Sequence, residues 1–237
     1  QMGIKYFRDD RTGGQLGFSP SIRMSHSSYG LGIDNERVEV FGKLGYVFPQ
    51  EKYKSVGLQV TSIQFNNASY FGLNQYDAKQ HSDYVNFIYQ SIFSSTIHKY
   101  RTGISIANDQ YDEVFNYASY KRTEITPGAF FEYTYTPNEK FSSVMGIRAD
   151  NNNLFGAFVT PRLNVRYEIA KGTVIRFSAG RGQRTANIFA ENNSVFVSSR
   201  SLNILATNTA GAYGLTPEIA WNKGISLDQK FTLFKNN

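Results

Sequence analysis

The stretch Gly156-Ala157-Phe158-Val159-Thr160-Pro161-Arg162-Leu163-Asn164-Val165-Arg166-Tyr167-Glu168-Ile169 sets the fold class of the whole chain. Successive side chains of a strand point to opposite faces. Ala157, Val159, Pro161, Leu163, Val165, Tyr167 and Ile169 therefore share one face, and Phe158, Thr160, Arg162, Asn164, Arg166 and Glu168 share the other. One face is oily and the other is charged.

The alternation recurs in both directions from there. Val38, Val40, Leu44, Tyr46 and Phe48 oppose Arg37, Glu39 and Lys43, while His98, Tyr100, Ile104 and Ile106 oppose Lys99, Arg101 and Ser105. Ile125, Ala129, Phe131, Tyr133 and Tyr135 oppose Thr126, Gly128, Glu132 and Thr134. Phe141, Met145 and Ile147 stand against Arg148 and Asp150; Ile175, Phe177 and Ala179 stand against Arg176 and Ser178. Ile219, Trp221, Ile225 and Leu227 face away from Glu218 and Asn222. With the less regular stretches 53–65 and 83–94 this predicts about nine strands, and Phe231 to Phe234 begins another. No long segment has a helical period, so the chain reads as all-β. Many of these strands run to about 10–14 residues, against the roughly 5–6 of soluble sheets.

The connections predict where such strands reside. Short turns at 49–52, 94–96, 136–139, 170–172 and 228–230 alternate with the longer segments 66–82, 108–123, 150–155 and 183–216. An outer-membrane barrel sorts its loops this way, with tight periplasmic turns at one rim and working loops outside at the other. Antiparallel closure also pairs every backbone N–H and C=O inside the bilayer. Tyr46, Phe48, Tyr53, Tyr100, Tyr133, Tyr135, Phe141 and Tyr167 fall beside the short turns, where an aromatic girdle belongs. The expected fold is an antiparallel transmembrane β-barrel of about nine to ten meandering strands in the cell outer membrane of a Gram-negative bacterium. The last strand is too short to cross and nine is an odd count for a bacterial barrel, so the expectation is a fragment of a larger one.

Composition narrows the alternatives. The 237 residues include 19 Phe and 16 Tyr but no Cys, which removes disulfide scaffolds, thiolate metal sites and cysteine nucleophiles. No stretch approaches the roughly 18 consecutive apolar residues of a membrane-spanning helix. The net charge of +6 is spread thinly, with no Lys/Arg run longer than a pair, so no nucleic-acid partner is expected. A composition 41% hydrophobic with mean hydropathy −0.40 suits a lipid-facing exterior around a polar lumen.

Several phrases resemble the barrel domain of TonB-dependent outer-membrane receptors, particularly the type abundant in Bacteroidetes. They are Gly146-Ile147-Arg148-Ala149-Asp150, the run Thr160 to Tyr167, Arg176-Phe177-Ser178-Ala179-Gly180-Arg181-Gly182-Gln183-Arg184 and Leu215-Thr216-Pro217-Glu218-Ile219-Ala220-Trp221-Asn222. Tyr29-Gly30-Leu31-Gly32-Ile33, Lys43-Leu44-Gly45-Tyr46-Val47-Phe48 and Arg101-Thr102-Gly103-Ile104-Ser105 also fit. The resemblance implies a barrel of about 22 strands closed by a plug. That barrel would import a scarce nutrient such as a siderophore, vitamin, glycan or peptide with energy from the TonB complex. Residues 1–237 would then be part of the barrel domain without its plug. The implied partners are outer-membrane lipid, the plug, the TonB complex and a small nutrient ligand, with no cofactor. Other outer-membrane barrels, porins or hydrolases, are the alternative, and a soluble all-β binding module is a further one.

Enzyme chemistry finds little support. His26, His81 and His98 are the only histidines, and no HExxH, GxSxG or paired metal-ligand spacing accompanies them, so no catalytic or metal residue is expected. Asp109 and Asp112-Glu113 read as an outer-loop acid–base pair or as solvated charges. Arg181-Gly182-Gln183-Arg184 lacks the helix start of a phosphate cradle. The inward charges Arg148, Arg162, Arg166, Glu168 and Arg176 are expected to line the lumen and bond plug or water. The segment 183–216 is the candidate ligand loop, with Arg184, Glu191, Asn192, Asn193, Phe196 and Tyr213 offering polar edges and aromatic faces.

Overall fold

The computed structural model describes residues 1–197, 202–206 and 211–231. Ten strands run through them: β1 (Met2–Gly14), β2 (Gly30–Val47), β3 (Ser55–Phe71), β4 (Asn74–Phe93), β5 (Ser95–Phe115), β6 (Ala118–Asn138), β7 (Phe141–Asn152), β8 (Gly156–Ala170), β9 (Thr173–Arg184) and β10 (Glu218–Gln229). Each pairs antiparallel with the next in a single meandering sheet whose order is the chain order, and the sheet is not closed. Met2–Gly14 is a strand the alternation did not predict. The start predicted at 231–234 falls almost entirely outside the described residues.

Directly opposed residues of antiparallel strands share a face, so the register tests the alternation strand by strand. One row reads Val159, Ala149, Ala129, Ile104, Phe87, Leu58 and Leu44 from β8 to β2, apolar throughout. Its neighbour on the other face reads Phe158, Asp150, Gly128, Ser105, Asn86, Gln59 and Lys43. The apolar face is bare: Ile104 is 64% exposed, Trp221 62% and Ile225 78%. Apolar surface on that scale needs a nonaqueous partner, which lipid provides.

The apolar band is far shorter than the strands. On β4 the outward residues Val85, Phe87, Tyr89 and Phe93 give way to Asp83, His81, Lys79 and Asp77 towards the hairpin tip. About 9–11 tilted residues cross a bilayer. β5 and β6 have 21 residues each, about 70 Å at roughly 3.4 Å per residue. Roughly half of each strand therefore projects beyond the lipid as sheet with two polar faces.

This changes the reading of two loops. Segments 66–82 and 108–123 are mostly strand, closed by the two-residue turns Gly72-Leu73 and Asn116-Tyr117. Gly72 has φ +63°, and Asn116 and Tyr117 have φ +49° and +82°, the left-handed values that tight hairpins demand. Period-two hydropathy ends where lipid ends, although hydrogen bonding does not. The long connections at this far rim are instead 15–29 and 185–217. At the near rim, Ser94 alone joins β4 to β5.

Aromatic rings line the near rim on the apolar face. Tyr46 meets Phe48 at 5.2 Å, Phe93 stacks on Tyr100 at 4.4 Å, and Tyr100 meets Phe131 at 6.1 Å. The chain of rings continues through His98 on Tyr135, Tyr135 on Phe141 and Phe141 on Tyr167.

Candidate functional site

At the far rim, the described residues between β9 and β10 (185–197, 202–206 and 211–217) pack across the polar face of β3 to β6 as a strap. Two single-turn helices, α1 (Ile188–Glu191) and α2 (Asn193–Phe196), carry its apolar anchors. Phe189 and Phe196 are 1% and 2% exposed, among the most buried side chains of the described residues. Phe196 packs on Phe71 at 5.8 Å and on Phe115 at 4.7 Å; Phe189 packs on Tyr76, Phe115 and Tyr120 at 5.7, 5.0 and 4.9 Å. This is the main apolar cluster among the described residues, and it lies beyond the membrane band, between strap and sheet.

Beside it lies a buried polar network centred on Arg122 of β6. Its Nη1 donates to Glu113 Oε2 at 2.8 Å and to the Tyr213 hydroxyl at 2.7 Å, and its Nε donates to Glu124 Oε1 at 2.8 Å. Its Nη2 donates to Asn187 Oδ1. Tyr76 and Tyr213 both donate their hydroxyls to Glu113, and Thr185 donates to Glu124 at 2.5 Å. Thr185, Asn187 and Tyr213 belong to the strap, so one guanidinium and its two carboxylates clasp both strap ends to the sheet. Asn74 adds a bond from its Nδ2 to the Phe196 carbonyl at 3.1 Å.

Burial sets the protonation states here. It pushes the Tyr76 and Tyr213 phenols well up, and the Tyr111 phenol to about 12, so all three stay neutral. Burial alone would depress Arg122, but Tyr213, Glu124 and Glu113 outweigh it and hold the guanidinium above its ordinary value. Asp109, opposite Glu124 in register, is raised by burial despite a 2.5 Å bond from Ser82.

Residues 3–237 match the family described as TonB dependent receptor-like, beta-barrel. The chain belongs to that family. The match is to this receptor-like family as a whole, an outer-membrane barrel family rather than an enzyme family, and it does not single out the Bacteroidetes type. No curated protein matches the sequence. Among solved structures, the alcaligin outer-membrane receptor FauA from Bordetella pertussis aligns with a TM-score of 0.58 at 14% identity, over 78% of this chain and 33% of its own. The siderophore receptor PirA from Acinetobacter baumannii aligns at 0.42 and 10% identity, over 97% of this chain and 46% of its own, too loosely to bear on the fold. At such identity FauA supports the fold alone, and the chain spans only about a third of it.

In this TonB-dependent receptor-like barrel the sequence-predicted loop residues occupy different surroundings. Phe196 and Tyr213 are committed to the strap's own packing and hydrogen bonds. Arg184, at the end of β9, makes a two-pronged pair with Glu191 at 2.9 and 2.7 Å and donates to Glu218 Oε2 at 2.8 Å. Asn192 Nδ2 bonds the Ile188 carbonyl at 2.7 Å, while Asn193 Oδ1 is buried without a protein partner. Arg184, Glu191 and Asn192 are the members left exposed.

Arg148, Arg162, Arg166, Glu168 and Arg176 all lie on the polar face, each with a bond inside the sheet. Arg148 pairs with Asp150 and donates to Ser105 Oγ at 2.8 Å; Arg162 pairs with Glu132 and Arg176 with Asp228. Arg166 pairs with Glu168 at 3.2 Å.

Asp112 and Glu113 do not form an acid–base pair, because neighbours in a strand point oppositely. Asp112 pairs outward with Lys121 at 2.8 Å, whereas Glu113 is buried against Arg122. Arg181 to Arg184 continue β9 and open no helix. His81 pairs with Asp83 and His98 with Tyr133. No group of three His, Cys, Asp or Glu that could hold a metal occurs among the described residues. Sequence reasoning missed Arg122 and Glu124. The available signal was an Arg–Glu pair two residues apart on the polar face of β6.

Proposed function

We propose that this chain forms part of the barrel of an outer-membrane receptor that takes up a scarce nutrient with energy delivered by a TonB complex. The apolar face contacts lipid, the polar face lines the lumen against a plug supplied by the rest of the protein, and the strap roofs the far, extracellular vestibule. The observation that carries the reading is the family match over residues 3–237. The exposed Arg184–Glu191 clamp, with Asn192 and Asn193 beside it, offers an incoming ligand hydrogen-bonding edges. Phe196 and Tyr213 support that surface from beneath. FauA is named as the alcaligin outer-membrane receptor, and together with the siderophores that the sequence resemblance implies this makes iron chelates the first class to test.

The experiment is uptake of radiolabelled iron chelates and of labelled cobalamin by cells carrying or lacking the intact gene, with and without functional TonB. Uptake that needs both supports the reading. Passive, TonB-independent solute entry would favour a porin and overturn it.

A further inference from the structure

Two recesses lie on the outward face of the central strands, the outside of the barrel, where neither closure of the sheet nor a plug in the lumen reaches them. The lower one is apolar, with a volume of about 640 Å³, within the range of small-molecule sites. The outward row that crosses it steps from Phe87 and Ile104 down to Ala129 and Ala149 and rises again at Val159. One row towards the near rim the side chains are bulky again, Phe131 beside Ile147. The low ground is therefore a trough between two ridges, closed below and open towards the far rim, in the upper part of the lipid band. At its open end stand the outward amides Asn108 and Asn151.

The upper recess is polar, with a volume of about 590 Å³, and it stands on the same strands. A single outward residue separates the two on each of β4, β5 and β6: Asp83, Asn108 and Ile125. From Ile106 in the trough to Gln110 in the recess is four residues of β5, about 14 Å. Gln64, Gln110 and Thr123 present amide and hydroxyl groups there that make no side-chain bond among the described residues. Of the charged side chains that line it on this face, Asp112 is held by Lys121 at 2.8 Å and His81 by Asp83 at 2.9 Å. Lys79, the other cross-strand neighbour of Asp112, has no ion pair among the described residues. One ammonium is left over, just above the bilayer on the rim that carries the long connections, the extracellular one.

We propose that the two recesses form one site for a phosphorylated glycolipid of the outer leaflet. Apolar trough, amides, polar recess and free cation follow one another in the order of the groups along such a molecule. An acyl chain lies in the trough, and its ester or amide linkage meets Asn108 and Asn151. Sugar hydroxyls exchange hydrogen bonds with Gln64, Gln110 and Thr123, whose groups both donate and accept. Lys79 donates to a phosphate oxygen. A phospholipid fills the trough equally well but brings no sugar to the amides above it. The assignment rests on the outer-membrane barrel and not on the uptake reading, so TonB-independent transport would leave it standing.

The test uses the full-length receptor in detergent, stripped of its own lipid and titrated with lipid A or with dioleoylphosphatidic acid, the bound lipid being counted by native mass spectrometry. Phosphatidic acid shares the acyl chains and the phosphate but lacks the sugar. Lipid A should be retained about tenfold more tightly. Lys79→Gln should weaken lipid A by about fivefold, and Ala149→Phe, which fills the trough, should weaken it in the same direction. Lys171→Gln removes the same charge from a turn at the opposite rim and should leave binding unaltered. All three variants are checked for the heat-modifiable mobility of a folded barrel. Equal retention of the two lipids would reduce the recesses to ordinary lipid contact and overturn the assignment. So would lipid A binding unchanged in the folded Lys79→Gln and Ala149→Phe variants, or weakened as much by Lys171→Gln.

Discussion

Arg122 and Tyr111 lie directly opposite each other on β6 and β5, with the guanidinium carbon 3.6 Å from the ring centroid. A cation so placed gains from the ring quadrupole once water is excluded, and its N–H groups remain free for Glu113, Glu124 and the strap. The side chain is 7% exposed and that of Glu113 is 3%. Removing one partner of a buried pair strands the other, at about 3–5 kcal/mol. Arg122→Met should therefore release the strap. Amide hydrogen exchange at residues 187–197 should rise sharply in the variant, with exchange at Val85–Phe93 unaltered. The double variant with Glu113→Gln should recover part of the loss, since the pair is coupled. Unchanged protection of the strap in Arg122→Met would show that the aromatic cluster alone holds it.

Tyr117 occupies a turn position at φ +82° with its side chain fully in solvent. A left-handed conformation costs a residue bearing a Cβ roughly 1–2 kcal/mol, and glycine avoids that cost while losing somewhat more chain entropy on folding. Tyr117→Gly should thus stabilise the β5–β6 tip modestly, by about 0.5–1 kcal/mol. Slower amide exchange across residues 112–121 is the expected reading. Gly72→Ala should act oppositely, because φ there is +63° and the added methyl would press on the Tyr29 ring at 2.9 Å.

The contrast between Ile104 and Gln110 explains what could be read from sequence. Both lie on the outward face of β5, but one meets lipid and the other water. Inside the bilayer the two faces of each strand sit in different solvents, so hydropathy alternates and the face assignments made for β2 and for β5 to β10 agree with the register. Beyond it both faces are polar, and 66–82 and 108–123 lose their period while keeping their hydrogen bonds. β1 escaped for the same reason, since Lys5, Arg8, Asp9, Asp10 and Arg11 outnumber its apolar residues. The strap was legible only as a long segment. Its anchors Phe189 and Phe196 follow no strand period, and the Arg122 network assembles residues from four separate stretches of chain, at 76, 113–124, 185–187 and 213.

Asp109 gives the projecting sheet a pH dependence of definite sign. Burial raises its carboxyl above the ordinary value, with Glu124 adding to the rise and Ser82 and Arg122 opposing it. The folded state then holds the proton longer than the unfolded chain does. Stability is lost as pH climbs from the usual aspartate range through the raised value, and the ionised group stays unfavourable above that. Asp109→Asn, whose carbonyl still accepts from Ser82, should protect β4–β6 against exchange at neutral pH, with the advantage shrinking towards pH 4 and below. An advantage that did not change with pH would trace the effect to packing instead of ionisation.

The edge of the lipid band can be located with one strand. Ile104 and Gln110 are six residues apart on one face of β5, about 20 Å along the strand. If the apolar face meets lipid, Ile104→Arg buries a cation near mid-bilayer and should cost about 2–4 kcal/mol, whereas Gln110→Arg, beyond the band, should cost about 0–1. Guanidinium titrations of the full receptor refolding into phospholipid vesicles measure both, with Ile106→Arg expected in between. A flat series would mean that this face is not in contact with lipid. The steepness of the fall from Ile104 to Gln110 would show whether the bilayer ends near Ile106, where the outward side chains change to Asn108, Gln110 and Asp112.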